Sequence, residues 1–315
     1  MRHTSSYLRL LVLALLWGSS FLFIKVALNA LSAPQIAFTR IVLGALVLLA
    51  LCALRGHDLR ADRSLWSRVT VAALFASALP WVLIGIGEQT IDSGLAGVLN
   101  ATTPLWTVLF GLLIGQERLR PSRATGLLLG FSGVVLILAP WHSASLLQWG
   151  ALACLTASAS YGIAYVYIGR KLTGHGKPPV ALAALQMSAA AGRAALALPI
   201  GWTQVQFSPL PLLAVGALGV FGTGAAFALN YRLIADEGAT TAATVTYLAP
   251  VVSVLLGWLV LGEALNWRIL LGVLVVLTGV ALIRQPDDAP ARRTRPHRPN
   301  RIRGYTELLT NHPMK

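Results

Sequence analysis

Two prolines inside apolar runs, Pro104 and Pro250, stand 146 residues apart, and each sits about midway along its run. A proline cannot donate to the carbonyl four residues before it. Those carbonyls belong to Asn100 and Thr246, polar in both places. Kinked helices with freed carbonyls are tolerated where they line a cavity, which makes these four residues candidates for a pathway. The competing reading is a packing kink whose carbonyl accepts from a neighbouring hydroxyl.

Three cations also fall within apolar runs, Lys25, Arg40 and Arg193. A charge at the centre of a bilayer costs at least ~2.5 kcal/mol, so each must face an interior, a water-filled space or an interface. Lys25 lies close enough to the end of its run to snorkel. Arg40 and Arg193 lie about 10 Å from the nearer end at the helical rise, which suits a water-filled vestibule. Arg40 aligns with Gln186 at the same 146-residue spacing. Its guanidinium suits a carboxylate or phosphate, and equally a set of backbone carbonyls. Glu88 closes an apolar run and is one of few acids near one. Partial burial would make it the candidate for proton coupling; a surface ion pair is the alternative. Trp17, Tyr161 and Tyr247 are placed to line the same space, although such rings also anchor interfaces or fill cores.

The elements that must position these residues follow from composition. Of 315 residues 56% are hydrophobic and 11% charged, against about 25% charged in an ordinary soluble domain, which excludes a water-soluble globular enzyme. Nearly charge-free windows long enough to span a bilayer begin around positions 7, 34, 69, 93, 124, 149, 179, 210, 239 and 267. The expected fold is all-α integral membrane, with ten transmembrane helices. The first run follows Arg2 and Arg9 but exceeds a secretory core in length and carries Trp17 and Lys25, so it is read as retained. Cys52 and Cys154 both sit in apolar runs and offer neither a disulfide framework nor a metal cluster.

Arginine and lysine gather at the start of the chain and in alternate loops: Arg2 and Arg9; Arg55, Arg60, Arg63 and Arg68; Arg118, Arg120 and Arg123; Arg170, Lys171 and Lys177; Arg232; and the tail from Arg284. The other set of loops holds Arg268 alone. Cytoplasmic loops carry the excess, so both termini are expected in the cytoplasm. The net charge of +14 therefore reads as topology, with membrane lipids as the partner of the basic tail and no nucleic acid expected.

Shifting the chain by 146 residues aligns Ser93 to Ile137 with Ala239 to Ile283 without a gap, placing Glu117 on Glu263, Gly111 on Gly257, Gly126 on Gly272 and Gly133 on Gly279. Shared apolarity explains Leu on Leu; it does not explain one Pro, one Glu and three Gly at one spacing. A repeated unit of five spans enters the membrane from opposite sides in its two copies, giving two inverted five-helix repeats around a central cavity. The repeats are assigned to residues 1–141 and 142–284, and residues 285–315 to a basic Pro/Arg-rich tail too polar to pack.

Leu16-Trp17-Gly18-Ser19-Ser20-Phe21, Arg40, Ser93-Gly94-Leu95-Ala96, Leu99 to Pro104, Gln116-Glu117-Arg118, Tyr247-Leu248-Ala249-Pro250 and Leu261-Gly262-Glu263 together resemble the EamA family of the drug/metabolite transporter superfamily. The resemblance covers residues 7 to 284. It implies secondary transport, often outward, of small metabolites such as amino acids or related compounds by alternating access, in a cytoplasmic (inner) membrane. It implies no cofactor and no catalytic residue, and it does not name the solute. A lipid-linked carrier or flippase is the alternative transporter. An integral membrane enzyme is the rival class, but all six histidines lie in loops or tails and buried carboxylates are nearly absent. Solute, direction, coupling ion and oligomeric state are not legible.

Overall fold

The computed structural model describes residues 2–115, 120–138, 149–172, 176–237 and 245–283, all in helices and connecting turns with no strand among them. The chain runs α1 (Arg2–Ala27), α2 (Ala33–Leu54), α3 (Arg63–Ala73), α4 (Leu79–Gly87), α5 (Ser93–Asn100), α6 (Thr103–Leu113), α7 (Pro121–Leu138), α8 (Trp149–Lys171), α9 (Pro179–Ala197), α10 (Pro209–Gly219), α11 (Ala226–Glu237), α12 (Val245–Leu261) and α13 (Trp267–Ile283). Two π-helical segments, Leu74–Ala78 and Val220–Ala225, join α3 to α4 and α10 to α11 without a turn. Eight of the resulting runs are long and apolar enough to cross a membrane, and α12 and α13 are shorter apolar helices. The expectations for Glu117 and for the tail lie outside the described residues.

Local chemistry explains where the runs start and bend. The Asp62 carboxylate accepts from the Leu65 N–H at 2.8 Å and caps α3, while Gln35 Oε1 accepts from the Ser32 N–H at 2.8 Å ahead of α2. At the first π-helical segment the Leu79 N–H bonds back to Leu74, five residues away. The next donor in that register would be Pro80, which has no N–H. The orphaned Phe75 carbonyl instead accepts from the Ser160 hydroxyl of α8 at 2.8 Å.

The two prolines bend their runs differently. In the first, the helix is interrupted at Ala101 and Thr102, and Pro104 opens α6. The Asn100 carbonyl freed by Pro104 accepts from Thr103 Oγ1 at 2.8 Å, and the Leu99 carbonyl accepts from Thr102 Oγ1 at 2.6 Å and Ser158 Oγ at 2.9 Å. In the second, α12 continues through Pro250, whose own carbonyl accepts from Ser253 Oγ at 2.9 Å.

Helices of the first part of the chain pack mainly on helices of the second. α7 and α13 run against each other along small residues: a Cβ at Gly126 would stand 2.7 Å from the Gly279 carbonyl oxygen, and one at Gly133 would stand 3.0 Å from the Gly272 carbonyl oxygen. Gly272 follows Gly126 by 146 residues and Gly279 follows Gly133 by the same distance, so the contact is reciprocal. A second contact behaves alike. Gly18 of α1 faces Val252 and the Ala249 carbonyl of α12, while Gly162 of α8 faces Trp106 and Thr107 of α6. Val252 follows Trp106 by 146 residues, and Gly162 follows Gly18 by 144. Small residues let such backbones approach closely in lipid, where packing replaces the hydrophobic effect.

Candidate functional site

Arg40 lies on α2 with 6% of its surface exposed. Its Nε donates to Thr223 Oγ1 at 2.9 Å, and its guanidinium carbon lies 4.0 Å from the centre of the Trp81 ring. A desolvated stack of this kind contributes about 2 kcal/mol and offsets part of the cost of burying the charge. Thr223 belongs to the second π-helical segment, and its hydroxyl donates in turn to the Leu218 carbonyl at 3.2 Å, five residues back. Tyr161 of α8 packs against the buried cluster that contains Trp81, and both Tyr161 and Glu88 lie within electrostatic reach of Arg40.

On the opposite half, Gln186 of α9 donates to Ser77 Oγ at 3.4 Å, and Ser77 lies in the first π-helical segment. Arg40 with Thr223 and Gln186 with Ser77 are therefore the same pairing made twice, each member 146 residues from its counterpart. Irregular turns of this type are frequent at functional sites because they turn a side chain out of the regular helical pattern.

A second polar cluster closes one end of the bundle. Lys25 Nζ donates to the carbonyls of Glu88 at 2.6 Å and Ile91 at 2.8 Å, taking up oxygens left over after α4 ends. Glu88 itself is fully buried, and neither carboxyl oxygen has a hydrogen-bond partner among the described residues. Across from it Glu263 accepts from the N–H groups of Ser93 at 2.7 Å and Gly94 at 2.9 Å, so a carboxylate caps the positive end of α5. Gly262, at φ +69°, makes the turn that delivers Glu263 back to this point. A Cβ at Gly257 would collide with that same carboxylate. Lys25, Asn29, Asp92 and Glu263 border an open groove of about 530 Å³. Partial desolvation at the groove, and then the charge of Glu263, hold the Asp92 carboxyl above its ordinary range, partly opposed by Lys25.

The candidates read from sequence thus divide. Arg40, Tyr161 and Gln186 fall in the polar layer of the two π-helical segments, and Glu88 lies within electrostatic reach of it. Asn100 is half-buried with its Oδ1 unpartnered among the described residues. Pro104 is half-buried and Pro250 buried at their bends. Trp17 packs edge-on against Phe227 at 6.3 Å, in a cluster with Leu13 and Leu233. Thr246 and Tyr247 are half-buried on α12, and the Tyr247 hydroxyl points toward the Val280 carbonyl at 3.5 Å. Arg193 is exposed on α9. Lys25, read as snorkelling, is engaged with backbone carbonyls instead.

Trp81, Thr223 and Ser77 escaped the sequence reading. A signal was present: Phe75 and Ser77 match Phe221 and Thr223 at the 146-residue spacing, upstream of the stretch aligned above.

The EamA-like transporter family model matches residues 4–139 and again 148–285. The chain is 29% identical over 281 residues to a protein named "Uncharacterized inner membrane transporter YedA" of Escherichia coli, covering 87% of this chain and 89% of that one. It is 27% identical over 291 residues to "Uncharacterized transporter YvbV" of Bacillus subtilis, covering 91% and 93%. An uncharacterized Pseudomonas aeruginosa protein is 31% identical over 289 residues, covering 91% and 97%. A solved crystal structure matches with a TM-score of 0.64 at 24% identity, over 89% of this chain and 96% of that one, which speaks to the fold alone. With eight apolar runs of spanning length and two shorter ones among the described residues, and two matches to one family model, the chain is a multi-pass membrane protein that belongs to the EamA-like transporter family.

Proposed function

We propose that the protein is a secondary transporter of ten membrane-spanning helices, arranged as two inverted five-helix repeats over residues 1–141 and 142–284. It exports small metabolites such as amino acids or related compounds by alternating access. The observation that carries this reading is the reciprocity of contacts: Gly126 meets Gly279 while Gly133 meets Gly272, as two copies related by a two-fold axis in the membrane plane would. Halves so related have two equivalent ways of packing, and exchanging them opens a shared pathway to one face and then the other. The transporter names of the relatives and the alternation of loop charge support an inner-membrane location with both termini cytoplasmic.

In this reading the pathway runs past Trp17, Asn100, Pro104, Thr246, Tyr247 and Pro250 toward the Arg40 layer. Glu88 is its proton site. An ionised carboxylate enclosed without a hydrogen bond costs several kcal/mol, so a change of exposure between the two packings would take up or release a proton.

Flux through the purified protein in liposomes tests the proposal, using a panel of amino acids, organic acids and organic cations with and without a pH gradient. Solute-specific flux that responds to the gradient and loses that response in Glu88→Gln is expected. Flux indifferent to pH in the wild type would remove the proton from the mechanism. Folded protein that moves none of the classes would overturn the carrier and return the lipid-linked reading.

A further inference from the structure

The guanidinium of Arg40 is incompletely used by the protein. Of its five N–H donors the one on Nε is taken by Thr223, and one face of the plane is covered by Trp81. Among the described residues its two terminal nitrogens make no hydrogen bond. The fully enclosed side-chain atoms without a partner among the described residues include both oxygens of Glu88 and Oδ1 of Asn100, and the terminal nitrogens of Arg40 are not in that enclosed set. Glu88 lies within electrostatic reach of Arg40, yet the two form no ion pair among the described residues. A buried cation is stable when its charge is paired and its donors are filled, and here the nearest buried carboxylate leaves it otherwise.

The repeat sharpens the point. The counterpart of Arg40 is Gln186, which makes the equivalent contact to Ser77 with a neutral amide. An amide suffices to hold α9 against its π-helical segment. A charge at the corresponding place on α2 therefore exceeds what the joint between helices demands, and it is present in one half only.

We propose that the terminal nitrogens of Arg40 bind a carboxylate of the transported solute, Thr223 and Trp81 fixing the guanidinium so that its free edge faces the pathway. A planar carboxylate matches that edge with two parallel hydrogen bonds, which an ammonium or an uncharged amide cannot. The inference rests on the carrier reading given above and deepens it by naming an acidic group as the feature that is recognised.

Thermal unfolding of the purified full chain tests it with matched pairs of probes: succinate and succinamide, benzoate and benzamide, L-glutamate and L-glutamine, L-leucine and L-leucinamide. At least one acid is expected to raise the unfolding midpoint beyond its uncharged or amidated partner. In Arg40→Gln the concentration of that acid needed for half the shift should rise about tenfold or more, as loss of a charged hydrogen bond requires. The double variant Arg40→Gln with Gln186→Arg returns a guanidinium to the equivalent place, against Ser77, and should recover part of the acid response. A merely structural Arg40 would give no such recovery. Should Arg40→Gln fail to fold, Arg40→Lys keeps the charge without the fork and should show a weakened response, whereas Thr223→Val keeps the fork and should retain one. Acids and their partners acting alike, no acid acting at all, or an unchanged response in Arg40→Gln would overturn the proposal. Liposome flux without preference for acids overturns this inference alone, whereas absence of all flux overturns the carrier reading beneath it.

Discussion

Thr223 follows Ser77 by 146 residues, and each presents its hydroxyl from a π-helical segment to the polar residue of a helix in the other half, Arg40 for Thr223 and Gln186 for Ser77. The geometry is shared but the energies are not. Arg40 to Thr223 spans 2.9 Å with a charged donor, whereas Gln186 to Ser77 spans 3.4 Å with a neutral one. Removing an acceptor from a buried charge costs about 1.5–3 kcal/mol, and removing a long neutral contact about 1 kcal/mol or less. Thr223→Val should therefore lower the unfolding midpoint clearly more than Ser77→Ala. Equal losses in calorimetry of the detergent-solubilised protein would mean that the charge is not carried by this bond.

Glu263 ties the end of one half to the start of a helix in the other. Two backbone N–H groups of α5 point at its carboxylate, and the helix dipole adds to the attraction. Glu263→Ala leaves both donors unpaired and should destabilise the protein by about 2 kcal/mol, while Glu263→Gln keeps an acceptor and should lose roughly half of that. The ordering of the two variants decides: a glutamine as damaging as an alanine would show that the charge, and not the cap, is what counts.

Much of this architecture is readable in one dimension, for a physical reason. Lipid demands about 20 apolar residues per span and loops concentrate the charge, so the helices announce themselves by composition. Six of the ten windows read from sequence lie within a residue of an observed helix start, at 33, 93, 149, 179, 209 and 267; those at 7, 69 and 124 miss starts at 2, 63 and 121 by three to six residues, and the one at 239 begins outside the described residues. The site is less legible. An apolar run does not show on which turn a helix will skip to a π register, because that depends on Pro80 and on the Ser160 hydroxyl arriving from α8. Lys25 illustrates a different limit. Its depth is compatible with snorkelling, and only the fold of the turn after α4 supplies two carbonyls within its reach. Gln116-Glu117 stands in sequence where the second copy has Gly262-Glu263, and the left-handed glycine of the first copy is Gly115, one position earlier in the repeat.

The reciprocal contact of α7 with α13 makes a further prediction. A methyl group at Gly126 or at Gly279 meets backbone across the interface at 2.7 Å or less, which no side-chain rotation relieves. Each alanine should cost about 1–3 kcal/mol as an overpacked interface. Because both push the same two helices apart, the double variant Gly126→Ala with Gly279→Ala should lose less than the sum of the single losses. Strict additivity in unfolding measurements would argue that the two glycines do not share a contact in the folded protein.

Asp92 provides the test by pH. Its carboxyl lies above the ordinary range because of partial desolvation at the groove and then Glu263, with Lys25 opposing. A raised carboxyl favours the folded state while protonated. As pH rises from the ordinary value of ~4 through the raised one, the unfolded chain sheds its proton first and the folded protein loses stability relative to it. Above that window the loss is complete, and below ~4 it is absent. Asp92→Asn removes the titrating group and should raise the unfolding midpoint at pH 7.5, by a small amount because the side chain is exposed. The gain should shrink on acidification and vanish near pH 3.5, and it should be smaller in a Glu263→Gln background, where one source of the repulsion is gone. A gain that persists unchanged at low pH would mean that the asparagine stabilises the turn by some means other than charge.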